Sequence, residues 1–169
     1  MNIDNKLTKK RIRSQREYNS FEDNIRLEKN CNYMSDILFL PTAKYGFKYL
    51  LIVLDIATRQ FDCEKLKNKD STTVLKAFKK ICNNSDYLTI PKYSLITDSG
   101  SEFKGLFQNY LFNESIFHKT VPKGNHNALS PIDNLCLQIG KILNDYMSSV
   151  EIQTGKVYRP VSYTHLTLP

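Results

Sequence analysis

The order of the apolar segments predicts a mixed α/β domain with five strands and three helices. Three segments with strand character come first, at 33–40, 47–56 and 60–66, and a helix, a strand, a helix, a strand and a helix follow them. The second segment is nearly all apolar, as in a buried strand, whereas the third alternates between apolar and charged residues, as at an exposed edge. This order is typical of a mixed sheet flanked by helices.

The second half of the chain alternates between helices and strands. Ser71 is expected to cap the first helix, and a strand at 94–98 is followed by a helix that includes Phe103. A strand at 116–121 then leads through a loop into a long helix from about 131 to 147. The apolar stripe predicted for this last helix consists of Leu135, Ile139, Ile142, Leu143 and Tyr146.

The sequence divides into three parts. Residues 1–30 are polar with an excess of basic side chains, and we expect a basic arm or linker there. Residues 31–150 carry all of the strong periodicity and form the predicted core. Residues 151–169 are a tail whose last ten residues we interpret as non-native sequence, so we expect either a core domain or a truncated reading frame.

Composition favours a polyanionic partner. Among 169 residues, 24 Lys and Arg side chains outnumber 17 acids, which gives a net charge of +7 and suits nucleic acid. The four cysteines are widely spaced without a C-x-x-C pair, as expected for reduced intracellular thiols. The longest apolar stretch is too short to span a bilayer, so no membrane association is expected.

Three aspartates occupy unusual positions in these elements. Asp36 interrupts the apolar segment 33–40, Asp98 closes the strand at 94–98, and Asp133 lies in the first turn of the last helix. A carboxylate within an apolar strand is costly unless it is paired or binds a metal. Converging carboxylates are the ligands that Mg²⁺ accepts, so these residues predict metal-dependent chemistry on phosphate esters.

Each acid also has a purely structural interpretation. Asp36 could bind an arginine or a backbone amide, Asp98 could start an Asp-Ser-Gly turn, and Asp133 could form a capping box with Ser130 as N-cap. Glu102 could assist the site, although a solvated first-turn residue is the simpler expectation. Two histidines are expected to be ordinary surface or loop residues, His118 and His126.

Two sequence segments resemble the catalytic core of retroviral-type integrases. The first is YLLIVLD at 49–55, followed by ATR at 57–59, and the second is ITDSGSEF at 96–103, which matches a T-D-x-G-x-E/N-F motif. The integrases of Maverick/Polinton elements and related DNA viruses are the most similar kind, and the resemblance covers about 33–148. It implies an RNase H-like fold with an Asp, Asp, Glu triad.

The third acid departs from the family pattern. The 34 residues between Asp98 and Asp133 are one fewer than the family's usual spacing, and the family usually has Glu followed by Arg where this chain has Asp133 and Asn134. Related transposases of this fold use three aspartates. The Asn-Arg pair further along the helix is missing, and Gly140 lies in mid-helix.

The resemblance implies a two-metal mechanism. Asp36 would bridge two Mg²⁺ or Mn²⁺ ions, Asp98 would complete one site and Asp133 the other. The loop 122–130 would be a mobile element over the site. Four lysines near the motifs are candidates for DNA contacts, Lys104, Lys119, Lys123 and Lys141.

The implied activity is that of a DNA integrase, which joins 3′-hydroxyl DNA ends to target DNA. Its partners would be the element ends, the target DNA and further copies of the chain, since two DNA ends must be joined together. It would act in the nucleus, a viral factory or a virion. The alternatives are a transposase or nuclease of the same fold, and a degenerate DNA-binding core without catalysis.

Overall fold

The structure, a computed structural model, covers the predicted core. The residues that it describes are 28–41, 43, 45–122 and 126–155. The predicted arm over residues 1–30 lies outside the described residues apart from 28–30, and the tail over 151–169 lies outside them apart from 151–155.

In the part of the chain that the structure describes, five strands form one mixed sheet, as predicted. They are β1 (Asn32–Phe39), β2 (Tyr49–Asp55), β3 (Phe61–Leu66), β4 (Ser94–Asp98) and β5 (Phe117–Val121). The order across the sheet is β3-β2-β1-β4-β5. Strand β2 is antiparallel to β1 and β3, and β4 is parallel to β1 and β5. Strand β1 is therefore central, and its only parallel neighbour is β4.

Among the described residues, three helices flank the sheet. They are α1 (Ser71–Asn84), α2 (Leu106–Asn113) and α3 (Ser130–Thr154), with 3-10 turns at Ser101–Phe103 and His126–Leu129. The N-cap of α1 is Asp70, which accepts the Thr73 amide at 2.9 Å, so the prediction of Ser71 as cap was wrong by one residue. The Ser71 hydroxyl instead joins two segments, because it donates to the Lys104 carbonyl and accepts the Phe107 amide.

The two faces of the sheet bury separate apolar cores. Alternate side chains of a strand point to opposite faces. Tyr33 and Leu95 belong to the core under α1 and α2, whereas Met34 and Ile96 belong to the core under α3. Asp36 and Asp98 each lie two residues beyond Met34 and Ile96. Both aspartates are therefore on the α3 face.

Helix α3 packs on the sheet through a row that the sequence predicts only in part. The buried residues are Ile132, Cys136, Ile139 and Leu143. Ile142 and Tyr146 are 39% and 47% exposed, so their assignment to the buried stripe was wrong. Apolar residues occur on more than one side of this helix, and packing against the sheet selects the side that bears Cys136. The helix ends at Thr154 with Gly155 in the left-handed conformation (φ 63°).

All four cysteines are in the described part of the chain, and none of them forms a disulfide bond. None of the described helices has the length and apolar character needed to cross a membrane.

Candidate active site

Asp36 and Asp98 lie just beyond the paired part of two parallel strands, Asp36 inside β1 and Asp98 at the end of β4. The β1–β4 pairing ends at Met34 and Ile96, and each aspartate lies two residues further along its strand. Neighbouring strands are about 4.8 Å apart, so the two side chains leave adjacent strands on the same face. The end of the pairing leaves this edge of the sheet open for polar groups.

Asp36 is held by its own strand and by α3. Its Oδ1 accepts the Ile37 amide at 2.7 Å, and its Oδ2 lies 3.7 Å from the Cys136 thiol, which donates to it. Burial raises the pKa of Asp36, and the negative charges of Asp98 and Asp133 raise it further against the opposing effect of the two hydrogen bonds. The three predicted acids therefore share one electrostatic neighbourhood.

Asp98 begins the turn that its sequence suggests. Its Oδ1 accepts the Gly100 amide at 3.1 Å. A Cβ at Gly100 would lie 2.7 Å from Cδ of Glu102 and 3.0 Å from Oδ1 of Asp98. The turn therefore packs the Asp98 and Glu102 carboxylates against the Cα of Gly100, and a side chain at this position would displace them.

Glu102 is buried, contrary to the expectation of a solvated residue. It is only 8% exposed, and its Oε1 forms an ion pair with Lys69 Nζ at 3.4 Å. A buried carboxylate requires such a partner. Glu102 lies in a short turn in which Ser101 and Lys104 are exposed. Such a turn has no regular alternation of apolar and polar residues that would predict a buried glutamate. Sequence reasoning missed both Glu102 as a buried acid and Lys69 as its partner.

Asp133 does not form the predicted capping box. The N-cap of α3 is Leu129, Ser130 is already inside the helix, and no side chain caps the first turn. Asp133 is partly buried and lies three residues before Cys136, the residue that contacts Asp36. The charge of Asp133 helps to raise the pKa of both Asp36 and Cys136.

The carboxylates fit a hard divalent cation but are not closed around one. In the described part of the chain, no three His, Cys, Asp or Glu side chains converge tightly enough to hold a metal ion as arranged. Carboxylate oxygens are nevertheless the ligands that Mg²⁺ and Mn²⁺ prefer. Carboxylates without a cation between them repel one another, so a bound cation would draw these side chains together.

A fourth aspartate, at the end of β2, is structural. Asp55 is fully buried, and its carboxylate accepts the amides of Asn30 and Ala57 and the hydroxyl of Thr58. These three bonds satisfy the carboxylate and tie the turn after β2 to the residues before β1. Asp55 therefore stabilises the fold and is not a candidate metal ligand.

His118 is not the ordinary surface residue that the sequence suggested. Its Nε2 lies 2.9 Å from the Thr97 hydroxyl, and its Nδ1 is buried without a hydrogen-bond partner among the described residues. Burial lowers the pKa of His118. Its ring faces α2, away from the three aspartates, as shown by the tilted contact with Phe107. The side chain of His126 is outside the described residues.

Three of the four predicted DNA-contacting lysines are described, and all three are exposed. Lys119 is on edge strand β5 in register with Ile96, and it shares a face with Val121 of the α3-side core. Lys141 lies two turns beyond Asp133 on α3, and the third exposed lysine is Lys104. Lys123 is outside the described residues.

Solved structures of retroviral integrases share this fold. The simian T-cell lymphotropic virus intasome in complex with PP2A regulatory subunit B56 gamma matches with a TM-score of 0.61 and 16% identity, over 79% of this chain and 45% of that one. The dimeric form of the HTLV-2 integrase catalytic core domain in complex with magnesium matches with a TM-score of 0.55 and 17% identity, over 77% of this chain and 78% of that one. Its trimeric form matches with a TM-score of 0.54 and 16% identity, over 77% of each chain.

The shared architecture confirms the predicted fold of an integrase catalytic core, which is RNase H-like. The match spans less than half of the simian integrase chain. No protein-family model and no curated protein sequence matches this chain. At these identities the likeness concerns the fold alone.

Proposed function

We propose that this chain is the catalytic core of a DNA integrase, a metal-dependent polynucleotidyl transferase that joins 3′-hydroxyl DNA ends to target DNA. One observation carries the proposal: Asp36 and Asp98 lie on the face of the sheet that α3 covers, and Cys136 of α3, one turn beyond Asp133, contacts Asp36 at 3.7 Å. The integrase-like fold supports it.

Asp36, Asp98 and Asp133 would hold two Mg²⁺ or Mn²⁺ ions, with Asp36 as the shared ligand. Such ions lower the pKa of an attacking hydroxyl or water and stabilise the leaving oxygen of an in-line displacement at phosphorus. The protein fixes the position of Asp36 through the Ile37 amide and the Cys136 thiol. Gly100 lets the Asp98 turn fold closely beside Glu102.

DNA is the proposed partner, both as element ends and as target. The net charge of +7 favours a polyanion, and Lys104, Lys119, Lys123 and Lys141 are proposed phosphate contacts. We further propose a homo-oligomer, since joining two DNA ends requires two active sites and the HTLV-2 core was solved as a dimer and as a trimer. The sites of action would be the nucleus, a viral factory or a virion.

A non-catalytic DNA-binding core is the second candidate. It is favoured by the departures from the family pattern, namely Asp133 followed by Asn134, and Gly140 within α3. A transposase or nuclease of the same fold would use the same three acids and differs from an integrase only in its products.

The test is a strand-transfer assay on a labelled duplex with a recessed 3′ end, in Mg²⁺, in Mn²⁺ and in EDTA. Asp98→Asn keeps the shape of the side chain and removes its charge, and Asp86→Asn makes the same change at an exposed position between α1 and β4. Metal-dependent joining that is lost only in Asp98→Asn supports the integrase. Cleavage without joining indicates a nuclease, and DNA binding without either reaction indicates a non-catalytic core.

A further inference from the structure

We propose that Lys69 is a DNA-contacting residue of this site, and that Glu102 holds its ammonium in place until a phosphate of the bound strand takes it over. The inference rests on the proposed function only in taking DNA as the ligand. It requires no catalysis.

Lys69 lies between the ends of the two strands that carry the acids. Its Nζ is 3.4 Å from Glu102 Oε1 and 5.3 Å from the centre of the Phe39 ring. Phe39 is the last residue of β1, three residues beyond Asp36, and Glu102 is four residues beyond Asp98. The ammonium is therefore placed at the same edge of the sheet as the candidate metal ligands.

The two partners differ in their exposure. The side chain of Lys69 is 41% exposed, whereas that of Glu102 is 9% exposed. The carboxylate is fixed inside, against Gly100 and beside Asp98, while the ammonium is at the surface on a flexible stem. Lys69 can consequently turn toward a ligand in solution while Glu102 stays in place.

The ion pair is weak enough to be exchanged. Its separation of 3.4 Å is longer than the roughly 2.7–2.9 Å of a strong charge-assisted hydrogen bond. The ammonium is open to water, which weakens its attraction to the carboxylate, so little stability opposes the exchange. A phosphate offers several acceptor oxygens, and an ammonium binds it as a point charge.

The site also needs a cation to receive DNA. Asp36, Asp98, Glu102 and Asp133 place four carboxylates near this edge, and a DNA strand would meet repulsion there before metal binds. The described residues form two ion pairs, and the other one, Lys80–Glu64 at 2.7 Å, joins α1 to β3, an outer strand of the sheet that carries none of these four acids. Lys69 is thus the cation whose ion pair adjoins the four acids.

Two substitutions, Lys69→Met and Glu102→Gln, distinguish a DNA contact from a purely structural ion pair by the direction in which each changes DNA affinity. If the pair is structural, Lys69→Met and Glu102→Gln both lower the melting temperature and affect DNA binding in the same direction. If Lys69 binds phosphate, Lys69→Met weakens DNA binding. Glu102→Gln then strengthens it, because a competing carboxylate is neutralised and the ammonium is released.

The experiment measures binding of the recessed duplex by fluorescence anisotropy over a salt series, without turnover. Lys69→Met is expected to reduce affinity about fivefold near 0.15 M salt and the slope of log K against log salt by about 0.9, the effect of one phosphate contact. Lys69→Arg should retain both values. Lys80→Met, which loses the ion pair between α1 and β3, should also retain them.

Equal behaviour of Lys69→Met and Lys80→Met would overturn the inference, as would weakened binding in both Lys69→Met and Glu102→Gln. Either result leaves the proposed function intact if the parent protein binds DNA. If the parent itself fails to bind, the proposed function falls together with the inference. Should Lys69→Met fold poorly, tighter binding by Glu102→Gln supports the proposal and weaker binding overturns it.

Discussion

The Cys136 thiol of α3 lies 3.7 Å from Oδ2 of Asp36 on the central strand. Burial raises the pKa of Cys136 to about 12, and the nearby Asp36 charge adds to the effect, so the thiol is protonated at neutral pH and donates to the carboxylate. The contact ties α3 to β1 at Asp36. Residues three apart on a helix lie on the same side, so this contact also holds the Asp133 side of α3 near Asp36.

The Cys136 contact predicts a positioning effect on metal binding. Cys136→Ala removes the donor, and a lost hydrogen bond of about 1 kcal/mol should weaken Mg²⁺ binding about fivefold. Cys136→Ser keeps a donor and should stay near the parent value, and Cys63→Ala on β3 is the control for loss of a thiol elsewhere. Titration calorimetry with Mg²⁺ decides the matter, and equal affinities for the Ala and Ser variants would refute the role.

The raised pKa of Asp36 predicts that the charged form opposes folding when no metal is bound. The pKa in the folded state is above the ordinary value of 3.8, so the stabilising contribution of the protonated form is complete at low pH and is lost as pH rises through the folded pKa. Asp36→Asn should therefore melt at a higher temperature than the parent at neutral pH without metal, and the difference should shrink toward about pH 3.

Mg²⁺ should reverse this order. At a hundredfold excess over its Kd a ligand stabilises the folded state by about 2.7 kcal/mol, an increase that the parent should show and Asp36→Asn should lack. The matched control is Asp62→Asn on β3, since Asp62 accepts its following amide at 2.7 Å as Asp36 does. Equal Mg²⁺ responses in the parent and Asp36→Asn, measured by calorimetry, would rule out Asp36 as a ligand.

Gly100 and Gly140 should respond oppositely to alanine. At Gly100 the new methyl group would lie 2.7 Å from the Glu102 side chain and 3.0 Å from Asp98, and such overpacking costs about 1–3 kcal/mol. At Gly140 nothing lies within 4 Å, so Ala should stabilise α3 by about 0.5–1 kcal/mol. Urea denaturation measures both effects, and we expect lost strand transfer only for Gly100→Ala. Normal activity and stability in that variant would contradict the crowding at the site.

Asp133→Ala should separate a helix-terminal role from a role in the site. Because no side chain caps α3, the substitution removes only the favourable effect of an acid in the first turn, about 0.3–1 kcal/mol. Strand transfer and Mg²⁺ binding should nevertheless be lost. Asp145→Ala, at an exposed position further along the same helix, should leave both unchanged. An active Asp133→Ala variant would require a different third ligand.

Local patterns in the sequence determined the elements and which of them carry the three acids. The predicted strand at 94–98 agrees with β4, and the predicted edge strand at 60–66 contains β3. Period-two and period-3.6 patterns arise from burial on one face of an element, so they can be read along a single segment. The positions of Asp36 and Asp98 relative to their strands follow from the same patterns.

Only the tertiary structure decided which faces meet. Burial of Cys136 in place of Ile142, and of Glu102 beside Gly100, depends on how α3 and the turn after β4 pack on the sheet. The Lys69–Glu102 pair joins residues 33 positions apart. Contacts between distant segments leave no periodic trace in either segment. The sequence therefore identified the candidate ligands, whereas their neighbours, which fix position and charge, emerged only from the packed fold.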